Sequence, residues 1–106
     1  MAIADQKVRQ ELIDAIGVAV AAGIMSRSNH GNMSLRLPGT DTFLMTGVSS
    51  FTAVQADQLV VLDLQGDLVE GEIEARNAEV IQMHAVVYRE RPEVGSVLHT
   101  HSPFAT

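Results

Sequence analysis

Two histidines stand one residue apart near the end of this 106-residue chain, in the segment GSVLHTHSPF that begins at Gly95. The apolar residues before the pair favour a β-strand, and the Ser-Pro step after it is typical of a helix start. Because side chains alternate along a strand, His99 and His101 are expected on the same face, about 7 Å apart along the backbone. Two imidazoles in that arrangement could converge on one metal ion.

A catalytic zinc site commonly has three protein ligands and one open position. The chain contains no cysteine, so any further ligand would be imidazole, carboxylate or water. His84 is one option, but it lies within a predicted helix, where a place on the helix face or a supporting role beside a ligand is favoured over direct ligation. His30 lies in a loop and is expected to face substrate or solvent. Taken alone, the spacing of His99 and His101 is equally compatible with two histidines that lie on the surface or only pack against neighbouring side chains.

Two loops carry groups that could hold a substrate. In SNHGNMS, residues 28–34, Gly31 permits a close approach of the backbone, and Asn32 can both donate and accept hydrogen bonds. In MTGVSS, residues 45–50, Thr46 and Gly47 offer a hydroxyl and backbone amides at the end of a strand. Taken alone, each loop is more simply interpreted as an ordinary turn.

Composition narrows the classes of function. Apolar residues make up 46% of the chain and the net charge is −6, which favours a globular fold over disorder and makes nucleic acid an unexpected partner. The absence of cysteine suits a cytoplasmic protein, and no segment has the length and character of a signal peptide or a membrane span. We therefore expect a cytoplasmic protein.

Hydrophobic periodicity predicts the elements that position these residues. A helix is expected from Asp5 to about Met25, ending near Gly23, and a second from Asn77 to about Arg89. Between them the alternation predicts two β-hairpins, and the histidine pair lies on a strand after the second helix. The hairpin strands are expected at Met33–Leu37, Phe43–Met45, Leu59–Leu64 and Leu68–Val69. This order indicates an α+β domain with helices packed on one sheet.

The final residues SPFAT open a helix, after which the sequence stops. A helix usually needs about three turns. The chain is therefore expected to be the N-terminal part, residues 1–106, of a longer domain.

The order of the motifs resembles one known family. HGNMSLR, LMTG, LVVLDLQGDLVEG and MHAVVYRERPEVGSVLHTHSPFAT follow one another along the chain, and together they are similar to the class II aldolase/adducin family. The resemblance covers essentially the whole sequence. It implies a three-layer α/β/α sandwich with a mainly antiparallel central sheet, assembled as a homotetramer.

The resemblance also implies roles for individual residues. His99 and His101 match two of the three histidines that hold a divalent ion, usually zinc, with manganese, cobalt or iron as the other options. The third histidine of the family lies beyond Thr106. Gly31 and Asn32 match a Gly-Asn pair that binds the substrate.

Thr46 and Gly47 match a second substrate-binding pair of the family. Glu79 matches the catalytic acid/base, although it stands five residues before His84, one more than in the family. Family members that use phosphorylated substrates have two serines before this glutamate, and this chain has Asn77 and Ala78 instead. The substitution favours a substrate without phosphate.

The function implied is that of a metal-dependent lyase. It would cleave, epimerise or decarboxylate a small sugar or sugar acid through a metal-stabilised enediolate, with the 106-residue chain inactive by itself. The alternative is a non-catalytic, adducin-like module for binding or assembly.

Overall fold

A computed structural model describes residues 6–23, 31–47, 54–73 and 80–100. A short 3-10 turn, Ala56–Gln58, precedes the third strand. The regular elements of these ranges are helix α1 (Gln6–Ala21), strands β1 (Gly31–Leu37), β2 (Thr42–Thr46), β3 (Leu59–Asp63) and β4 (Leu68–Glu70), helix α2 (Ile81–Glu90) and strand β5 (Ser96–Thr100).

The strands form one five-stranded sheet in the order β4-β3-β2-β1-β5. Every neighbouring pair is antiparallel, so the two predicted hairpins, β1–β2 and β3–β4, are confirmed. Strand β5 returns to the far side of β1, and this pairing sets Asn32 directly opposite His99. The predicted histidine strand therefore lies beside the predicted Gly-Asn segment.

The helices cover opposite faces of the sheet. Leu12 and Ile16 of α1 pack with Leu44, Leu59 and Val61 on one face. On the other face, a second apolar cluster joins α2 to β2 and β3, and it contains Phe43, Met45, Val60, Leu62, Ile81, Ala85 and Tyr88. The α+β class and the three-layer α/β/α arrangement expected from the sequence are confirmed.

The ends of the helices agree only in part with the prediction. Helix α1 ends at Ala21, earlier than the expected Met25, because Gly23 adopts a left-handed conformation with φ of 72°. Helix α2 ends at Glu90, one residue after the expected Arg89, and its predicted N-cap Asn77 lies outside the described residues. Neither helix of the described ranges is long and apolar enough to cross a membrane.

Gly47 occupies a crowded position just after β2. Its backbone N–H donates to the Gln58 carbonyl at 2.8 Å. A Cβ at this position would lie 2.7 Å from the Gln58 carbonyl oxygen and 2.9 Å from that of Glu72. Since both neighbours are backbone atoms, a larger residue would force β2 away from the chain around it.

Replacing Gly47 by Ala should therefore lower the free energy of unfolding by about 1–3 kcal/mol, the usual range for overpacking. Gly17→Ala is the matched control, because a Cβ on this exposed helical residue would meet nothing within 4 Å. The control should raise stability by about 0.5–1 kcal/mol. Urea unfolding of both variants checks the pair, and equal stabilities would contradict the close approach at Gly47.

Candidate active site

The sequence-predicted site residues that the structure describes gather at one end of the sheet. Because neighbouring strands are antiparallel, the start of β1 lies beside the ends of β2 and β5. This end brings together Gly31, Asn32, Thr46, Gly47 and His99. The backbone N–H of Met33 donates to the Thr46 hydroxyl at 3.3 Å, which joins the two predicted substrate loops.

Two of the predicted site residues, Glu79 and His101, lie outside the described residues. Within the described ranges, no group of three or more His, Asp or Glu side chains is arranged to hold a metal ion. The roles of these two residues therefore stay predictions.

Strand β1 carries three alternating polar side chains, Asn32, Ser34 and Arg36, on the face that meets α2. Each of these side chains bonds to α2 or to the segment that follows it. Their partners on the helix include His84 and Tyr88, which are four residues apart and hence on the same face of α2. The sequence alone indicated no role for Ser34, Arg36 or Tyr88.

His84 lies at the centre of this contact and is fully buried. Its Nδ1 is 2.7 Å from the Ser34 hydroxyl, and its Nε2 is hydrogen-bonded to the Asn32 side-chain oxygen. The Ser34 hydroxyl is in turn 2.7 Å from the Tyr88 hydroxyl. Both ring nitrogens of His84 are thus occupied, and direct metal ligation by His84 would require one of these bonds to break.

Asn32 connects His84 to the predicted metal ligand. The side chain is 4% exposed, and its Nδ2 donates to His99 Nδ1 at 3.1 Å. A continuous set of hydrogen bonds therefore runs through Tyr88, Ser34, His84, Asn32 and His99, and we call it the buried polar chain. The Asn32 carboxamide already bridges two histidines before any substrate is considered.

Burial keeps the inner members of the buried polar chain uncharged. Desolvation, together with the smaller effect of the nearby His99 ring, lowers the pKa of His84 from 6.5 to about 4. Burial also raises the pKa of Tyr88, against the opposing effects of the Ser34 hydrogen bond and the Arg36 charge. At neutral pH both groups therefore carry their hydrogens as neutral donors and acceptors.

Arg36 fastens the C-terminal end of α2 to the sheet. Its guanidinium donates to the carbonyl oxygens of Tyr88 at 2.8 Å, Val94 at 2.8 Å and Arg91 at 3.1 Å. The same group lies 4.8 Å from the centre of the Tyr88 ring. A cation at this position satisfies carbonyls at the helix end and complements the helix dipole.

Comparison with known proteins gives the family. Residues 10–106 match the sequence profile of the Class II Aldolase and Adducin N-terminal domain. The chain belongs to this family. The resemblance inferred from the order of the motifs is confirmed by a match over nearly the whole sequence.

Individual members of the family match the chain along most of its length. It is 30% identical over 102 residues to a 5-deoxy-D-ribulose 1-phosphate aldolase from Bacillus thuringiensis, covering 94% of the chain and 46% of that protein. It is 36% identical over 97 residues to a methylthioribulose-1-phosphate dehydratase from Hahella chejuensis, covering 92% of the chain and 45% of that protein.

A solved structure of an L-fuculose 1-phosphate aldolase superimposes with a TM-score of 0.78 at 27% identity, covering 96% of the chain and 47% of that structure. The chain thus spans about half the length of each of these relatives.

The first prediction from the site concerns Arg36. Replacing it by Met removes three charge-assisted hydrogen bonds to the end of α2 and should lower the free energy of unfolding by about 2 kcal/mol. The exposed Arg91 provides the control, and Arg91→Met should stay within about 0.5 kcal/mol of the parent. Equal losses for the two variants in urea unfolding would show that Arg36 does not hold the helix end.

A second prediction concerns pH. Because the pKa of His84 is about 4 in the folded protein and near 6.5 when unfolded, the unfolded chain binds a proton first as the pH falls. The contribution of His84 to stability is therefore complete above pH 6.5 and is lost toward pH 4. Between pH 7.5 and pH 5 the loss should be about 2 kcal/mol.

His84→Gln isolates this contribution, because it removes the titrating ring and leaves the carboxylates and the other histidines in place. Urea unfolding of both proteins across this pH range should give curves that diverge as the solution becomes acidic. Parallel curves would mean that His84 does not stay neutral in the fold.

Proposed function

We propose that the full-length protein is a divalent-metal-dependent lyase of the class II aldolase type that acts on a small sugar derivative. The observation that carries the proposal is the pairing of Asn32 with His99 at the end of the sheet where Thr46 and Gly47 also lie. One imidazole and two polar loop segments thus occur together on the strand ends.

The donors offered by the chain fit a divalent transition metal. Imidazole nitrogen suits zinc, iron and related ions, and the sequence has no cysteine that would add a thiolate. In the proposal His99 and His101 are two of the ligands, and a third comes from beyond Thr106. When bound, such an ion stabilises negative charge on the substrate oxygen next to the reacting carbon.

The chain's own residues have separate tasks in this proposal. Glu79 moves a proton at the carbon next to the polarised carbonyl group. The backbone and side-chain groups around Gly31, Asn32, Thr46 and Gly47 hold the end of the substrate remote from the bond that changes. The proposed enzyme is a homotetramer, as the family resemblance implies, and it is located in the cytoplasm, as the composition implies.

The substrate class can be narrowed by the names of the relatives. The three matched proteins are named for 1-phosphate esters of five- or six-carbon sugars or their derivatives. The chain has Asn77 and Ala78 in place of the expected serine pair, and this difference argues against a phosphorylated substrate. Turnover of ketose 1-phosphates compared with sugar acids distinguishes the two classes, and a clear preference for the phosphates would overturn the expectation from Asn77 and Ala78.

Replacing Glu79 by Gln should reduce turnover by about a hundredfold or more, because the amide cannot exchange a proton with the substrate. Glu72→Gln is the matched control, since Glu72 is an exposed carboxylate seven positions earlier in the sequence and should retain full activity. Steady-state assays on the full-length protein check both. Near-normal turnover of the Glu79 variant would remove this residue from the mechanism.

Metal analysis of the same preparations tests the family's non-catalytic alternative. The lyase should retain about one equivalent of zinc, manganese, cobalt or iron per chain after gentle purification. Metal contents far below one equivalent, together with no turnover, would favour an adducin-like module instead.

A further inference from the structure

The buried polar chain is constrained by the hydrogens that its members carry. Neutral His84 has a single ring hydrogen, and its two nitrogens face Ser34 and Asn32. The Asn32 oxygen can only accept, so His84 Nε2 must carry the hydrogen, and Nδ1 must accept from the Ser34 hydroxyl. Tyr88 then donates to Ser34. Every hydrogen bond of the buried polar chain therefore has its donor on the side of Tyr88 and its acceptor on the side of His99.

This direction fixes the state of His99. The Asn32 nitrogen can only donate, so His99 Nδ1 must be bare, and neutral His99 must carry its hydrogen on Nε2. In this forward direction, His84 and His99 are therefore both in the Nε2–H form.

In a reversed direction the groups from Ser34 to His99 keep the same hydrogen-bonded neighbours, while the Tyr88 hydroxyl accepts from Ser34 and turns its own hydrogen to another acceptor. Rotating the Asn32 carboxamide by 180° exchanges its oxygen and nitrogen in place. His99 Nδ1–H then donates to the Asn32 oxygen, the Asn32 nitrogen donates to His84 Nε2, and His84 Nδ1–H donates to Ser34. Each ring keeps one hydrogen, so no proton is gained or lost, and both histidines are now in the Nδ1–H form.

A histidine binds a metal through a nitrogen that carries no hydrogen, and the bond made by its other nitrogen selects which one that is. Nδ1 of His99 bonds to Asn32, so a metal ion bound by this residue would be bound through Nε2. Nε2 is bare only when the buried polar chain runs in the reversed direction.

We propose that His84 is a positioning residue whose tautomer is coupled through Asn32 to that of His99, so that a metal ion bound at His99 Nε2 reverses the buried polar chain as far as Tyr88. The metal-bound part of this inference rests on the proposed function. The coupling of the two tautomers rests on the hydrogen bonds alone.

Ring-nitrogen NMR of the full-length protein, labelled with ¹⁵N-histidine and held near pH 8, tests the coupling. In the metal-free protein His84 and His99 should show the same tautomer, Nε2–H. Adding one equivalent of zinc should convert both rings to Nδ1–H, although His84 does not touch the ion. A shift at His99 with no change at His84 would overturn the coupling and leave the proposed function intact.

Asn32→Asp gives a distinct signature, because a carboxylate accepts from both neighbours and cannot donate. His99 should then carry a hydrogen on Nδ1 and His84 on Nε2 without any metal, so the two rings no longer match. Matching tautomers in this variant would contradict the coupling. Failure of zinc to bind the parent protein would overturn the proposed function, while the metal-free spectra would still decide the coupling.

Tyr88→Phe extends the test to the end of the buried polar chain that lies farthest from His99. It keeps the ring that packs 5.0 Å from Phe43 but removes the oxygen that accepts from Ser34 in the reversed direction. Zinc affinity should fall about tenfold, the lower end of the range for residues behind a ligand. An unchanged zinc affinity in calorimetry would show that the reversal does not reach Tyr88.

Discussion

The hydrogen-bonded contact between β1 and α2 is the constraint on which the rest of the site depends. Asn32, Ser34 and Arg36 point from one strand face toward a helix, and all three find partners there. Buried polar groups are costly when left without partners, whereas bonded ones tolerate little displacement. A small slide of α2 along β1 would break several bonds together, so the strand and helix are held in one register.

Helix α2 combines two kinds of attachment. Ile81 and Ala85 lie in the apolar cluster with β2 and β3, and this packing holds the helix against the sheet without directional preference. His84 makes directional bonds toward β1. Tyr88 does both, since its ring packs on Phe43 while its hydroxyl meets Ser34. Apolar burial thus fixes the distance between helix and sheet, and the polar bonds fix the position along it.

Much of the fold could be predicted because its signals are local. Alternating residues and turn signals gave both hairpins, and Gly23 gave a stop for α1, although the helix ends before the expected Met25. The site was harder, because the roles of Ser34 and Arg36 depend on a helix that begins more than forty residues later. The alternation of polar and apolar residues along β1 is equally typical of a strand whose polar face lies in solvent. The local signal for a polar contact was the spacing of His84 and Tyr88. These two residues place polar groups on the same, otherwise apolar, face of α2.

Strand β5 is the last described element, and it pairs with β1. The bond between Asn32 and His99 joins residues 67 positions apart. At ribosomal rates of about 5–20 residues per second, roughly 3–13 s separate the synthesis of these two partners. During that interval the hairpins can form, yet the edge of β1 that will pair with β5 has no neighbour and its polar face has no helix. Nascent chains of this protein therefore expose the unpaired edge of β1. A chaperone that shields this edge at that stage would favour its correct pairing with β5.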